Sequence, residues 1–198
     1  ERFNAVLGGL AKASAGSDAA PILLRGTGSD QVQLLVVMTA ERGLCGGFNS
    51  SIVKLAKQKA ETLKGEGKTV KILTVGKKGR EQLKRDYGDL LIGHVDLSEV
   101  KNIGYANAQE IANDLLARFD AGDFDVATIF YNRFENVVSQ IPTAVQVIPA
   151  KFDTPSESDE TGYVYDYEPS EEEGLATLLP KALLQRVLSK RFGLVQSL

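Results

Sequence analysis

Residues 31–63, QVQLLVVMTAERGLCGGFNSSIVKLAKQKAETL, restrict the possible folds more than any other part of this sequence. The apolar run Leu34 to Met38 is short and partly β-branched, and a cluster of glycines follows it. A run of that length suits a strand buried on both faces, as in a parallel sheet. Beyond the glycines, Ile52, Leu55, Ala56, Lys59, Ala60 and Leu63 recur at helical spacing, with the apolar members on one stripe. Gly43, Gly46 and Gly47 permit the backbone angles of a tight strand-to-helix turn, and Asn49 or Ser50 can cap the helix. The stretch reads as the first βα unit of an α/β domain.

The flanking sequence extends that pattern. Phe3, Val6, Leu7 and Leu10 predict an amphipathic helix over 1–14, and a helix this short needs a surface to dock on. Residues 15–30 are rich in Gly, Ser and Asp and read as a linker, with Ile22, Leu23 and Leu24 packing locally. Further strands are expected at 70–75, 90–95 and 126–131, and a short basic helix at 77–87, stopped by Gly88. Another helix, carried by Tyr105, Ala108, Ile111, Ala112, Leu115 and Phe119, closes at Gly122. A turn at 132–136 and a long strand at 137–148 complete an antiparallel hairpin, with Pro142 placing the last strand at an edge or bulge. The alternation predicts a Rossmann-like, mostly parallel sheet with an antiparallel hairpin margin.

After Lys151 the composition changes. Asp153, Glu157, Asp159, Glu160, Asp166, Glu168, Glu171, Glu172 and Glu173 occur with no intervening base, so the rest of the chain is net cationic. This is either a solvated loop and acidic helix start or an electrostatic docking strip. Tyr163 to Tyr167 alternates like an edge strand. Ser170 stands three residues before Glu173, a capping-box spacing. Leu175, Leu178, Leu179, Ala182 and Leu183 then form a second terminal amphipathic stripe, interrupted by Pro180. The α/β domain is therefore assigned to 31–168, with an acidic loop at 151–162, and a terminal helix to 169–198.

A chain of 198 residues fits one domain with appendages. One cysteine, Cys45, excludes an internal disulfide and points to a reducing compartment. A formal charge of −3 argues against nucleic acid as the main partner. No apolar run reaches the ~18 residues of a membrane span. The first residue is Glu1, already inside a helical pattern, so the chain reads as a fragment.

The glycine cluster is the natural place for a phosphate, because backbone amides at a strand-to-helix turn attract anions. Yet Gly43-Leu44-Cys45-Gly46-Gly47 matches neither GxGxxG nor the Walker lysine loop, so turn and packing are the better reading. Cys45 lacks a histidine nearby, the single His94 standing far along the chain, and reads as a small core hydrophobe. His94 alone makes no metal cluster. Asp96, Glu99 and Asp123 are scattered, without the spacing of a paired acid and base. Lys77, Lys78, Arg80, Lys84 and Arg85 form a basic face without interleaved aromatics, better suited to solvent or protein than to nucleic acid. No catalytic constellation, cofactor motif or metal site emerges.

Arg42-Gly43-Leu44-Cys45-Gly46-Gly47-Phe48-Asn49, after a buried strand and opening a helix, resembles the signature of the F-type ATP synthase gamma subunits, bacterial (alphaproteobacterial in style) or mitochondrial. RFNAVLGGLAKA is similar to the end of that family's long N-terminal helix, YNRFENVVSQIPTAVQVIP to its hairpin, and YDYEPSEEE to the entry of its C-terminal helix. The string after Pro180 departs from the family pattern, and the paired cysteines of chloroplast relatives are missing. The resemblance implies a non-catalytic central-stalk rotor, its truncated terminal helices continuing as an antiparallel coiled coil inside a ring of alpha and beta subunits. It implies contacts with the epsilon subunit (delta in mitochondria) and the membrane c-ring, and transmission of torque between c-ring and head. It places the chain peripheral to the inner membrane, on the cytoplasmic side in bacteria or the matrix side in mitochondria. Glu41 and Arg42 are then candidate subunit contacts. A small Rossmann-like enzyme binding a nucleotide at the glycine turn is the alternative, and a free-standing regulatory adaptor a third class.

Overall fold

A computed structural model describes residues 22–41, 47–100, 105–136 and 139–149, and only the backbone of Leu24, Arg25, Tyr105, Phe134 and Glu135. In chain order the elements are a single helical turn α1 (Ile22–Arg25), β1 (Val32–Met38), α2 (Phe48–Gly65), β2 (Thr69–Val75) and α3 (Lys77–Tyr87). A 3-10 turn (Gly88–Leu90), β3 (Leu91–Val95), α4 (Tyr105–Asp120), β4 (Val126–Asn136) and β5 (Ser139–Ile148) follow. The five strands form one sheet in the order β3-β2-β1-β4-β5. The first four are parallel, and β5 pairs antiparallel with β4 at the margin.

The central strand explains the layering. Both edges of β1 are hydrogen-bonded, to β2 and β4, and every residue from Leu34 to Met38 is at most 1% exposed. Side chains alternate across a strand, so one face takes Leu34, Val36 and Met38 and the other takes Leu35 and Val37. The first set packs with Ala108, Ile111, Ala112, Leu115 and Phe119 of α4. The second packs with Ile52, Val53, Ala56, Ala60 and Leu63 of α2 and with Leu83 and Tyr87 of α3. Two cores thus sandwich one sheet, which is why β1 reads as an uninterrupted apolar run.

The basic helix spans Lys77–Tyr87 as expected, and the strands near 70 and 90 lie within a residue of their expected bounds. Three expectations are corrected. Residues 22–25 form a helical turn rather than loop, with Leu23 packed on the α4-side core. The helix after β1 starts at Phe48 with Gly47 at the N-cap position, so neither Asn49 nor Ser50 caps it. Residues 132–136 are not a turn: β4 continues through them, Asn132 pairing with Pro142 and Asn136 with Ser139. The chain satisfies its backbone there by lengthening the hairpin, with register shifts at Ala127/Thr128 and Phe134/Asn136 absorbing the misfit. Pro142 does lie on the edge strand β5. The expected helices at 1–14 and 169–198, the acidic loop at 151–162 and the strand at 163–167 lie outside the described residues.

Among the described residues no helix is long and apolar enough to cross a membrane.

Candidate functional site

The turn leaving β1 is built around the start of α3. A helix begins with backbone amides that lack intrahelical partners. Here residues 39–41, just past the end of β1, supply the acceptors. The Lys77 amide donates to Glu41 Oε2 at 3.1 Å, the Lys78 amide to the Ala40 carbonyl at 3.3 Å, and the Gly79 amide to Thr39 Oγ1 at 2.7 Å. A carboxylate there also meets the positive end of the helix dipole. The other oxygen, Glu41 Oε1, accepts from the Leu97 amide at 2.7 Å, in the loop after β3. One side chain therefore fastens the exits of three parallel strands to one another.

That approach is close enough to demand glycine at two positions. Gly76 adopts φ +93°, and a Cβ there would sit 2.0 Å from the Thr39 carbonyl oxygen. At Gly79 an added Cβ would lie 2.8 Å from Thr39 Oγ1 and 2.9 Å from its methyl. Thr39 itself is 4% exposed, so it cannot retreat into solvent.

The far side of the turn is tied as firmly. Asn49 is buried, and its Oδ1 accepts the Ala40 amide at 2.9 Å, tying the exit of β1 to the first turn of α2. Phe48 is buried in the α2/α3-side core, of which Leu35, Val37 and Phe130 are also members. Its carbonyl accepts from Asn132 Nδ2 at 2.9 Å and from Ser51 Oγ at 3.0 Å. In a doubly wound sheet the ligand crevice opens where strand order reverses, here between the carboxyl ends of β1 and β4. The last β1–β4 pair is Val37 with Phe130, yet β4 continues to Asn136, and Asn132 is set against the first turn of α2.

Of the residues singled out in the sequence, Glu41, Gly47, Phe48 and Asn49 take part in this assembly, whereas Arg42, Gly43, Leu44, Cys45 and Gly46 lie outside the described residues. Asp96 and Glu99 follow β3, whereas Asp123 precedes β4 at the opposite end of the sheet, so these acids do not converge. The Ser98 hydroxyl and amide beside Asp96 hold its carboxyl below the usual carboxylate range. His94 Nδ1 lies 2.8 Å from Thr74 Oγ1 within the sheet. Among the described residues no three His, Cys, Asp or Glu side chains group to hold a metal. Thr39, Gly76, Gly79 and Asn132 were not singled out as site residues. A signal did exist: Gly76-Lys77-Lys78-Gly79 opens a helix with no Ser, Thr, Asp or Asn of its own at the start, so the cap had to come from elsewhere.

The described residues define a doubly wound α/β domain in which residues 39–41, at the exit of β1, form a structural junction. The profile of the family described as ATP synthase matches residues 1–191, and the chain belongs to that family. Among its relatives, the ATP synthase gamma chain of Ruegeria pomeroyi is 66% identical over 189 residues, covering 96% of this chain and 65% of that protein. The gamma chain of Roseobacter denitrificans is 65% identical over the same shares. The chain thus spans just under two thirds of these relatives' length. Among solved structures, the central stalk and c-ring of the Tetrahymena thermophila mitochondrial ATP synthase contains a chain similar in fold, with TM-score 0.58 and 21% identity. That match covers 99% of this chain and 97% of the other. A rotor chain of the Euglena gracilis mitochondrial enzyme matches with TM-score 0.50 at 15% identity, covering 99% of this chain and 88% of that one. At these identities the likeness is one of fold.

Proposed function

We propose that this chain is the globular body, with adjoining helix ends, of a central-stalk rotor subunit. It transmits torque between a proton-driven c-ring and a catalytic alpha/beta head during ATP synthesis or hydrolysis. The observation that carries the reading is 66% identity to an ATP synthase gamma chain across 96% of this sequence. The junction supports it physically. A part that transmits torque must resist shear, and the exits of β1, β2 and β3 are cross-tied through Thr39, Ala40 and Glu41. On this reading 1–14 and 169–198 belong to an antiparallel coiled coil, 15–30 joins it to the sheet, and 31–168 is the body. Its partners are the alpha and beta subunits, epsilon (delta in mitochondria) and the c-ring, and it lies peripheral to the inner membrane, on the cytoplasmic side in a bacterium. The chain itself carries no catalytic or cofactor site in this role, and nucleotide chemistry belongs to the head.

Within the motif we assign Arg42 as the contact across the rotor-to-head boundary. Glu41 has both carboxylate oxygens engaged inside the domain and serves that contact by holding the turn. In the assembled enzyme, Arg42→Glu is expected to weaken coupling of ATP hydrolysis to proton pumping, read as acidification of inverted vesicles per ATP hydrolysed. The domain should keep its circular dichroism. Unchanged coupling would overturn the Arg42 assignment. Failure of the tagged chain to capture alpha, beta and epsilon subunits, or saturable nucleotide binding to the isolated chain by calorimetry, would overturn the rotor reading itself.

A further inference from the structure

The layer of helices on one face of the sheet carries a charge that its own carboxylates do not balance. Helix α2 presents Lys54, Lys57, Lys59 and Lys64, and α3 presents Lys77, Lys78, Arg80, Lys84 and Arg85. Against these nine cations the two helices carry three acids, Glu61, Glu81 and Asp86. All three are already committed: Asp86 to Lys57 at 3.0 Å, Glu81 to Lys78 at 2.8 Å, and Glu61 to the Tyr87 hydroxyl at 2.7 Å. Among the described residues no carboxylate lies within ion-pair distance of Lys54, Lys59, Arg80 or Lys84. On the opposite face the balance reverses, α4 holding Glu110, Asp114 and Asp120 against Arg118.

Between α2 and α3 this layer opens into a groove of about 570 Å³. Lys54, Lys57 and Glu61 line it, Lys57 being paired with Asp86, and Ser50, Gln58, Thr62 and Gln82 add hydrogen-bonding groups. A trough with one unpaired ammonium, Lys54, and amide donors along its walls, set in a helical layer with nine cations against three acids, suits an extended acidic peptide.

We propose that the groove between α2 and α3 is the docking site for this chain's own acidic stretch, residues 153–160. That stretch, Asp-Thr-Pro-Ser-Glu-Ser-Asp-Glu, holds four carboxylates and no base. Its tether is short, because β5 ends at Ile148. Helix α2 packs across β2, β1, β4 and β5, and α3 packs on β2 and β3, so the groove overlies the middle of the sheet. That is two or three strands from β5, about 10–15 Å at the spacing of a sheet, with a helical layer about 10 Å thick to cross as well. At about 3.4 Å per extended residue, the chain from Ile148 spans about 17 Å to Asp153 and about 41 Å to Glu160. The acids at 157 to 160 therefore fall within reach of the groove, with Asp153 at its approach.

The test is zero-length carbodiimide cross-linking of the full 198-residue chain, followed by peptide mass spectrometry. The expected products join Lys54 or Lys57 to Asp153, Glu157, Asp159 or Glu160 within one chain. They should fall at least fivefold in 0.5 M salt, and fall likewise in Lys54→Glu, an exposed position whose circular dichroism should not change. A second variant, replacing the four acids by Asn and Gln, should abolish them and leave the fold intact. Cross-links confined to other lysines, or formed only between two chains, would overturn the proposal. So would binding of the wild-type chain to phosphatidylglycerol vesicles as tight as that of the four-acid variant, since a docked stretch would compete with lipid for this face.

Discussion

At the scale of single residues, the junction depends on groups that are missing. Gly76 has no side chain because the Thr39 carbonyl stands where one would begin, and its φ of +93° is a conformation L side chains rarely adopt. Gly76→Ala is therefore expected to lower stability by about 3 kcal/mol or more, combining backbone strain with a backbone clash, as urea unfolding would measure. Tyr87 illustrates the opposite case, a group kept neutral by its neighbours. Its hydroxyl donates to Glu61 Oε1, and that hydrogen bond, with burial and the Glu61 charge, pushes its pKa up to about 12. The folded state holds this proton more tightly than the unfolded chain. The associated stability is present below about pH 10 and is lost as pH rises towards 12. Ultraviolet titration of the phenolates should show a late component that Tyr87→Phe diminishes by one tyrosine.

At the scale of elements, the sheet is clamped at its other end by Asp125, which precedes β4. Its Oδ2 accepts the Val32 amide at 2.9 Å and its Oδ1 the Thr27 hydroxyl at 2.8 Å, while its own amide donates to the Val32 carbonyl at 2.8 Å. The Val32 amide above all holds the Asp125 carboxyl below the ordinary value of 3.8. A depressed carboxylate pKa contributes stability that is present above the unfolded value and is lost as pH falls through the folded one. Asp125→Asn is expected to cost about 1–2 kcal/mol near neutrality and to flatten the stability profile below pH 4, measured by denaturation across pH. The elements also show what a sequence can reveal. Apolar runs and helical stripes exposed β1, β2, α2 and α4, because burial imposes those patterns directly. Asn132 and Asn136 looked like turn residues because they are polar, yet Asn132 is buried and answers the Phe48 carbonyl. Asn49 looked like a cap for the same reason, and instead receives the Ala40 amide. A polar side chain satisfied by a partner distant in sequence leaves no periodic trace, so the local explanation wins until coordinates name the partner.

At the scale of the whole molecule, the two cores share one sheet, and β1 lies at its centre with both edges paired and both faces covered. Local opening cannot expose the amides of Leu35 to Val37 without dismantling a neighbouring strand or a helical layer. Native-state hydrogen exchange should find these amides, with Ile129 and Phe130, exchanging only through global unfolding, on the order of 5–15 kcal/mol. The edge strand β3, half-buried throughout, should exchange through smaller openings. Comparable free energies for β1 and β3 would mean that the sheet yields as one unit.

Glu41 is the keystone of that construction. A carboxylate offers two equivalent acceptors, and both are used, one for the helix that follows β2 and one for the loop that follows β3. Glutamine, though isosteric, brings a single acceptor oxygen, and its amide nitrogen would face a backbone N–H as donor against donor. One neutral swap would thus release one of the two neighbouring loops from the other, leaving every hydrophobic contact of the domain in place.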